Sequence, residues 1–498
     1  MRSHLSPPGA VLLMCLVSSG CKGGAPFNAG ATLNNTAAPS TTPITTPITT
    51  PVTVPVTTST PASAATVSVM VSAPTACEAP NGPYTHVYVT ISDIRGSTNP
   101  DAPAGDPSFV DLTPGLSSAP QQVDLLGKAN SNCFLASLGV SQQVAAGNYQ
   151  QVRIFLAPDS RASSITNNAC GASYSNCLVR TDNSLHDLIL PPATSQGIEM
   201  TARNLVNGGI AFNAGDQPFI DLNIDVCSSI LATADGGYEF NPVLYAGLIP
   251  STGSTIAGTV VSSKTGQPLS GGNVMVALEQ KDSTGIDRIL MRTAAGSDGS
   301  FVLCPVPEGT YDLVAVGVDG ASVAYSAGVE TGIQSGQLAG KIPLVPGTQQ
   351  GTLQGLISTM NGGLPPAGIS VAVQADALQQ IASNGTMITV PLLPSQSPFN
   401  EAMLTTNGSS CPAGGDCAPF AMQLPSNAPN VVACSEQTAQ FTQQGSTPAY
   451  TADSSAQIPG SGGTPACAAS NMQAPGGAVA VGPGETAMSG RMAFSQCQ

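Results

Sequence analysis

Residues 84–95, YTHVYVTISDIR, alternate: Val87, Val89 and Ile91 fall on one face, Tyr88 and Thr90 on the other. That is the period-two pattern of a strand with one buried side. TVSVMVSAP alternates too, as does AAGNYQQVRIFLAP (145–158), where Gly147-Asn148 marks a turn before Val152, Ile154 and Leu156 on a common face. PFIDLNIDVCSSIL and GGYEFNPVL carry the theme to about residue 250. From about 251, IAGTVVSSKTGQPLSGGNVMVAL precedes GSDGSFVLCPVPEGTYDLVAVGVDG. Asp298-Gly299 is a hairpin signal there, and Glu308-Gly309-Thr310 a second turn leading into 311–316. Beyond 346, GTLQGLISTMNGGLPPAGISVAVQADAL has the same order: a Gly-started strand, a Gly/Pro turn, then Ile369, Val371 and Val373 alternating. It reads as a diverged second copy, with further strands in AYTADSSAQIPG and GGAVAVGPGETAMSGRMAFSQC. The pattern predicts an all-β chain with three β-sandwich regions, 64–250, 251–346 and 347–498.

The residues before 64 fit no such pattern. TTPITTPITTPVTVPVTTSTP (41–61) is a four-residue repeat with proline at 43, 47, 51 and 55. Each proline fixes φ and lacks an N–H, which excludes helix and central strand. An extended, disordered stalk is expected over 21–63, reaching on the order of 100 Å at about 3.1 Å per residue. Such Thr/Pro stalks are also typical substrates for O-glycosylation. Ahead of it, residues 10–17 form an apolar run behind Arg2 and His4. As a helix the run covers about 12 Å, far short of the ~30 Å hydrocarbon layer, so 1–20 read as a signal peptide.

Ser18-Ser19-Gly20 followed by Cys21 suits a peptidase that seats an extended backbone with small side chains. The segment resembles a bacterial lipobox, in which a diacylglycerol is joined to the cysteine sulfur before cleavage leaves that cysteine as residue one. The resemblance implies that Cys21 carries the lipid and anchors the chain to a membrane. One departure stands: the usual leucine three places before the cysteine is Ser18, with Leu16 and Val17 displaced outward. The other reading is an ordinary secretory signal cut nearby. Two or three acyl chains on one cysteine hold far better than one. Lys22 follows the anchor rather than aspartate, the common inner-membrane retention signal in enteric bacteria. The expected address is therefore the cell envelope, at the outer membrane where the cell has one.

With 41% apolar residues the 498-residue chain can bury real cores, while charged residues at 9% leave the surface to Ser, Thr, Asn, Gln and Gly. A net charge of −15 with 14 basic residues excludes nucleic acid as a partner, since Lys and Arg must displace its counterions. The absence of Trp leaves nine Tyr and twelve Phe to stack on sugars, which weakens a glycan reading without removing it. Of thirteen cysteines, eleven remain once Cys15 and Cys21 are set aside, and exported chains form disulfides. CGASYSNC and CPAGGDC read as loops closed by Cys170–Cys177 and Cys411–Cys417. A zinc site wants tighter C-x2–4-C spacing and histidine partners. The odd total leaves one thiol unpaired, and Cys304, alone in its region, is the expected one.

Region 64–250 resembles a bacterial lipoprotein family known as domain of unknown function 4382. The resemblance rests on HVYVTISDIR, Val123-Asp124-Leu125-Leu126, Gly147-Asn148-Tyr149 with Val152-Arg153, the strand at 221–226 and Asn241-Pro242-Val243-Leu244. It covers nearly the whole region with loose motifs, and implies an exported β-sandwich with no known activity. Region 251–346 is similar to the carboxypeptidase regulatory-like domain, a small transthyretin-like sandwich that serves as a structural and docking module and brings no catalytic residues. The fold class expected is thus tandem Ig-like and transthyretin-like β-sandwiches behind the stalk.

No catalytic constellation survives inspection. His86 sits inside a strand pattern, and His186-Asp187 has no G-x-S-x-G elbow to serve. There is no H-E-x-x-H, no Walker loop (Gly340-Lys341 is followed by Ile342) and no G-x-G-x-x-G on a strand–helix unit. Asp298 and Asp319 precede glycine as turn residues do, and calcium needs about six to eight oxygens. The sequon Asn384-Gly385-Thr386 means little in a bacterium. Acids far apart in the chain, which the fold alone brings together for glycosidic chemistry, are invisible at this level. No catalytic residue, metal or cofactor is expected. The function expected is a non-catalytic envelope lipoprotein presenting sandwich modules for adhesion, glycan contact or assembly with a protein partner. One alternative is a hydrolase of envelope polymers, which buried carboxylates of raised pKa in a groove would favour. The other is a periplasm-facing structural lipoprotein. Flat polar faces or exposed sheet edges would favour binding by strand addition.

Overall fold

A computed structural model describes residues 64–73, 84–190, 192–226, 229–232, 236–249, 255–269, 273–318, 323–359, 371–382, 385–392, 401–404, 416–434, 440–445, 447–458 and 467–494. Strands dominate it, with three short 3-10 turns. No helix among the described residues is long and apolar enough to cross a membrane.

In the first region two sheets enclose one core. One sheet runs Leu244–Ile249, Phe219–Ile224, Ala64–Ser72, Ala136–Ala145, with Ala64–Ser72 parallel to Phe219–Ile224 and antiparallel to Ala136–Ala145. The other is built on Tyr84–Ser97, fourteen residues long. Its positions in the hydrophobic core are Val87, Val89 and Ile91, and then Ile94, so the parity changes. A bulge between Ile91 and Asp93 accounts for this. Before the bulge the strand pairs with Gln121–Asp124 and Cys177–Arg180, after it with Gln151–Leu156 and Val110–Asp111. Val152, Ile154 and Leu156 lie in the core as the alternation predicts.

The second region faces a three-stranded sheet (Ser300–Leu303, Ile256–Ser262, Leu338–Leu344) against a six-stranded one. The latter runs Asp287–Ala294, Asn273–Lys281, Thr310–Val318, Gly328–Gln334, and then Asn430–Ala433 and Thr442–Gln443. The last two strands come from beyond residue 346, and Asn430–Ala433 adds in parallel to Gly328–Gln334. Val274, Val276, Leu278, Leu313 and Ala315 face the three-stranded sheet. Met275, Val314, Val316 and Val329 face the other way, into a core shared with Leu353, Val373 and Tyr450 of the third region. Both faces of this sheet are therefore covered, which is why Thr310–Val318 is buried from its second residue to its last. The tight turn expected at Asp298-Gly299 is present, but it is not a hairpin: the strands on either side, Asp287–Ala294 and Ser300–Leu303, belong to different sheets, so the turn carries the chain from one sheet to the other. Gly299 has φ +73°, and a Cβ there would sit 2.7 Å from Val260 O. Asp298 Oδ1 accepts from Ser300 N (3.0 Å) and Oγ (2.6 Å).

The third region adds a sheet of Asp416–Leu424, Gly351–Thr359, Thr486–Met488 and Met492–Phe494. Facing it is one centred on Val371–Gln380 and Ala449–Ile458. Val373 is buried as predicted; Ile369 lies outside the described residues.

Candidate functional site

Cys21, the signal segment and the stalk lie outside the described residues. Cys170 and Cys177 are bonded to each other, and their loop covers the outer face of Tyr84–Ser97. Thr90 donates from N to Asn176 Oδ1 (2.8 Å) and from Oγ1 to Ser175 O (2.6 Å), so a threonine expected on the outer face is buried. Cys417 is disulfide-bonded, whereas Cys411 lies outside the described residues. Cys304 overturns its expectation. It is bonded to Cys133, 171 residues earlier, because the loop before Ala136–Ala145 meets the end of Ser300–Leu303 where the first two regions pack. Counting cysteines within each region cannot find a bond between regions.

Among the described residues His86 and His186 form no catalytic arrangement. His86 Nδ1 lies 2.7 Å from Asp124 Oδ2, with the ring stacked on Tyr88 and half exposed. His186 Nε2 is 3.0 Å from Ser184 Oγ, but that hydroxyl donates to Asp182 Oδ1 at 2.5 Å. A triad needs the aspartate on the imidazole rather than on the serine. Asp187, next along the same strand, points to the opposite face. Asp298 is a turn residue, and Asp319 lies outside the described residues.

A different group is built by the second region's sheet. Alternation along Asn273–Lys281 continues the buried stripe Met275, Ala277 onto Glu279. Across the sheet, Val316 and Val314 lead to Asp312, which pairs directly with Glu279. Asp287 opens the next strand, opposite Lys281. Glu279, Asp287 and Asp312 are all buried and line one cavity of about 760 Å³ between the first and second regions, with Arg203, Asn207 and Lys281. Glu279 Oε2 accepts from Thr389 N (3.0 Å) and Asp312 Oδ1 from Gly332 N (2.9 Å). Among the described residues Glu279 Oε1, Asp287 Oδ2 and Asp312 Oδ2 have no donor. Burial pushes all three carboxyls above the usual range, and the mutual proximity of Asp287 and Asp312 raises Asp287 further. Lys281 Nζ, half exposed, is 3.9 Å from Asp287 Oδ2. The arrangement can hold protons and offer carboxyl groups to a polar ligand. Among the described residues no group of three His, Cys, Asp or Glu is placed to hold a metal ion.

The regions also meet through buried ion pairs. Arg292 Nε donates to Asp225 Oδ2 of the first region (2.5 Å). Arg288 donates from Nε to Asp282 (3.0 Å) and from Nη1 to Asp453 of the third (2.5 Å). Sequence reading missed these acids because a lone Asp or Glu in a strand looks like its solvated face. The signal was in the parity: Glu279 and Asp312 fall in register with apolar positions on their strands.

No curated relative matches the chain in sequence. Among solved structures, a leucine-rich repeat protein from Bacteroides thetaiotaomicron is similar at 13% identity and TM-score 0.21, over 49% of this chain and 26% of that one. The Bacillus anthracis TIE protein is similar at 10% identity and TM-score 0.15, over 87% and 51%. The chain thus spans about a quarter and about half of these two proteins. Shaft pilin SpaA from Lactobacillus rhamnosus GG is similar at 13% identity and TM-score 0.16, over 57% and 97%. Likeness of this degree carries nothing about function. Residues 64–242, nearly the whole first region, match the family model of the domain of unknown function DUF4382.

Proposed function

We propose that this chain is a non-catalytic envelope lipoprotein, anchored through Cys21, whose stalk carries a β body that binds a glycan or a protein partner. One observation carries the reading: the three regions are welded into one another. A single sheet takes strands from two of them, a disulfide joins the first to the second, and buried Arg292–Asp225 and Arg288–Asp453 pairs close the junctions. Such a body holds a binding surface in fixed geometry at the end of a long tether. Lys22 after the anchor favours the outer membrane. Replacing Cys21 with Ala should move the protein from the membrane to the soluble fraction; a variant that stays membrane-bound removes the anchor.

The second reading, a hydrolase of envelope polymers, is favoured by the buried carboxyls at the cavity, since acids of raised pKa are the tools of general acid catalysis. Both readings are tested on one array of cell-wall and polysaccharide ligands. Retention that free glycan competes away, without cleavage, supports the binding protein. Cleavage that disappears in Asp287→Asn overturns it in favour of the hydrolase.

A further inference from the structure

One face of the second region's six-stranded sheet ends in acids. Glu279 pairs with Asp312 and Lys281 with Asp287, and Glu279 and Lys281 are two positions apart, so all four side chains leave the sheet on the same side. Glu279, Asp287 and Asp312 are 0%, 2% and 7% exposed, and they line the cavity of about 760 Å³ against the first region. The fold engages one oxygen on two of them: Glu279 Oε2 accepts from Thr389 N (3.0 Å) and Asp312 Oδ1 from Gly332 N (2.9 Å). Among the described residues, Glu279 Oε1, Asp287 Oδ2 and Asp312 Oδ2 meet no donor. Buried acceptors left in that state destabilise a fold unless something else supplies the donors.

We propose that this cavity is a binding site for a primary ammonium group, which donates to the carboxyl oxygens of Glu279, Asp287 and Asp312. The inference rests on the binding reading and gives its ligand a chemistry. An ammonium carries three N–H donors and a positive charge. That matches three acceptors on adjacent strands, where directly opposed side chains start about 5 Å apart. The cations already at the cavity do not meet the demand. Arg288 is held by Asp282 and Asp453, and Arg203 interacts with Asp282, Asp376 and Asp453. Lys281 is half exposed, with Nζ 3.9 Å from Asp287 Oδ2, too far for a hydrogen bond. Tyr311, which also lines the cavity, donates its hydroxyl to Pro307 O (2.8 Å). Burial holds all three carboxyls above the usual range, so near neutrality an arriving ammonium displaces protons from them. Arg288 Nη2 has no acceptor among the described residues, which leaves a donor for a hydroxyl beside the amine, as an amino sugar has.

Isothermal titration of the intact chain near neutral pH with n-butylamine and D-glucosamine, against n-butanol and N-acetyl-D-glucosamine, tests this. Both amines should bind and release protons, so that the measured heat differs between phosphate and Tris buffers. The two uncharged analogues should not bind. Tighter binding of D-glucosamine assigns the ammonium to an amino sugar, and tighter binding of n-butylamine to an alkylamine. Asp312→Asn should weaken amine binding by about tenfold or more, the worth of one hydrogen bond to a charged group. Should that variant fold poorly, Lys281→Gln removes a competing cation at a half-exposed position and should tighten amine binding by about two- to fivefold. The proposal is overturned by amines that do not bind, by uncharged analogues that bind as well, or by a folded variant with unchanged affinity. If the amines fail while the chain is still retained on the polysaccharide array, the ammonium site falls and the binding reading stands; failure of both removes both.

Discussion

Removing the Cys133–Cys304 bond, by replacing both cysteines with alanine, tests how the first two regions are joined. The cross-link spans 171 residues, and in the chain-entropy account a loop of that length constrains the unfolded state by about 5 kcal/mol at 25 °C. That equals the whole stability of a weak domain. Much of it should be realised, because contacts on both sides hold the two ends together without the bond. Asn207 and Gln280 exchange hydrogen bonds at 2.8 and 3.0 Å, Asn207 Nδ2 donates to Glu308 O, and Gly247 lies so close to Pro307 that a Cβ would be 2.8 Å away. Urea unfolding followed by far-UV circular dichroism suits a chain with no Trp. Thiol alkylation and mass measurement on the wild type confirm the bond beforehand. The expected result is a lower midpoint and a loss of about 3–5 kcal/mol. A loss below about 1 kcal/mol would refute the reasoning, since the cross-link would then add nothing to what the noncovalent interface already imposes on the chain.

Arg292→Met should cost about 3–5 kcal/mol by leaving the buried Asp225 without its guanidinium, and adding Asp225→Leu should recover most of that in the same unfolding assay. Gly258→Ala should cost about 1–3 kcal/mol, because the new Cβ would sit 2.8 Å from the Phe301 ring and 2.9 Å from Gly340 O; a neutral result means the three-stranded sheet gives way easily. Burial raises Asp221 from 3.8 to about 8 even though it accepts from Ser72 Oγ at 2.8 Å. Its contribution is therefore full below pH 3.8 and lost as pH rises through about 8. Asp221→Asn should accordingly raise stability relative to wild type at pH 8.5 and gain little at pH 4, checked by thermal melts at both values.

The strands were legible wherever one face is wet and the other dry. Val87, Val89, Ile91, Val152, Ile154 and Leu156 are in the core for the reason their spacing gives, and Asp298-Gly299 turns because glycine alone fits there. The bond between Cys170 and Cys177 was legible because they lie only seven positions apart; that between Cys133 and Cys304 was not, because it depends on packing between regions. The same holds for the carboxyls. Whether Glu279 is wet depends on what covers its face, and the cover is Thr389, 110 residues away.

That dependence explains why the acids sit where they do. A strand covered on one side sends its polar residues to water, but Asn273–Lys281 and Thr310–Val318 are covered on both sides by cores belonging to different regions. A polar side chain on either face of this sheet must find a partner or change its protonation state. Glu279 and Asp312 stand where the shared apolar core ends and the cavity begins, and what they meet there is backbone and side chain of the third region and of the neighbouring strands. An apolar residue at Glu279 would pack in several registers against the third region. A carboxyl that must meet Thr389 N accepts one. The stability Glu279 forgoes is thus matched by a defined seating of the third region on the second. Replacing Glu279 with Leu separates the two effects: it should leave stability near wild type while loosening that seating, seen as faster exchange in Met387–Thr389.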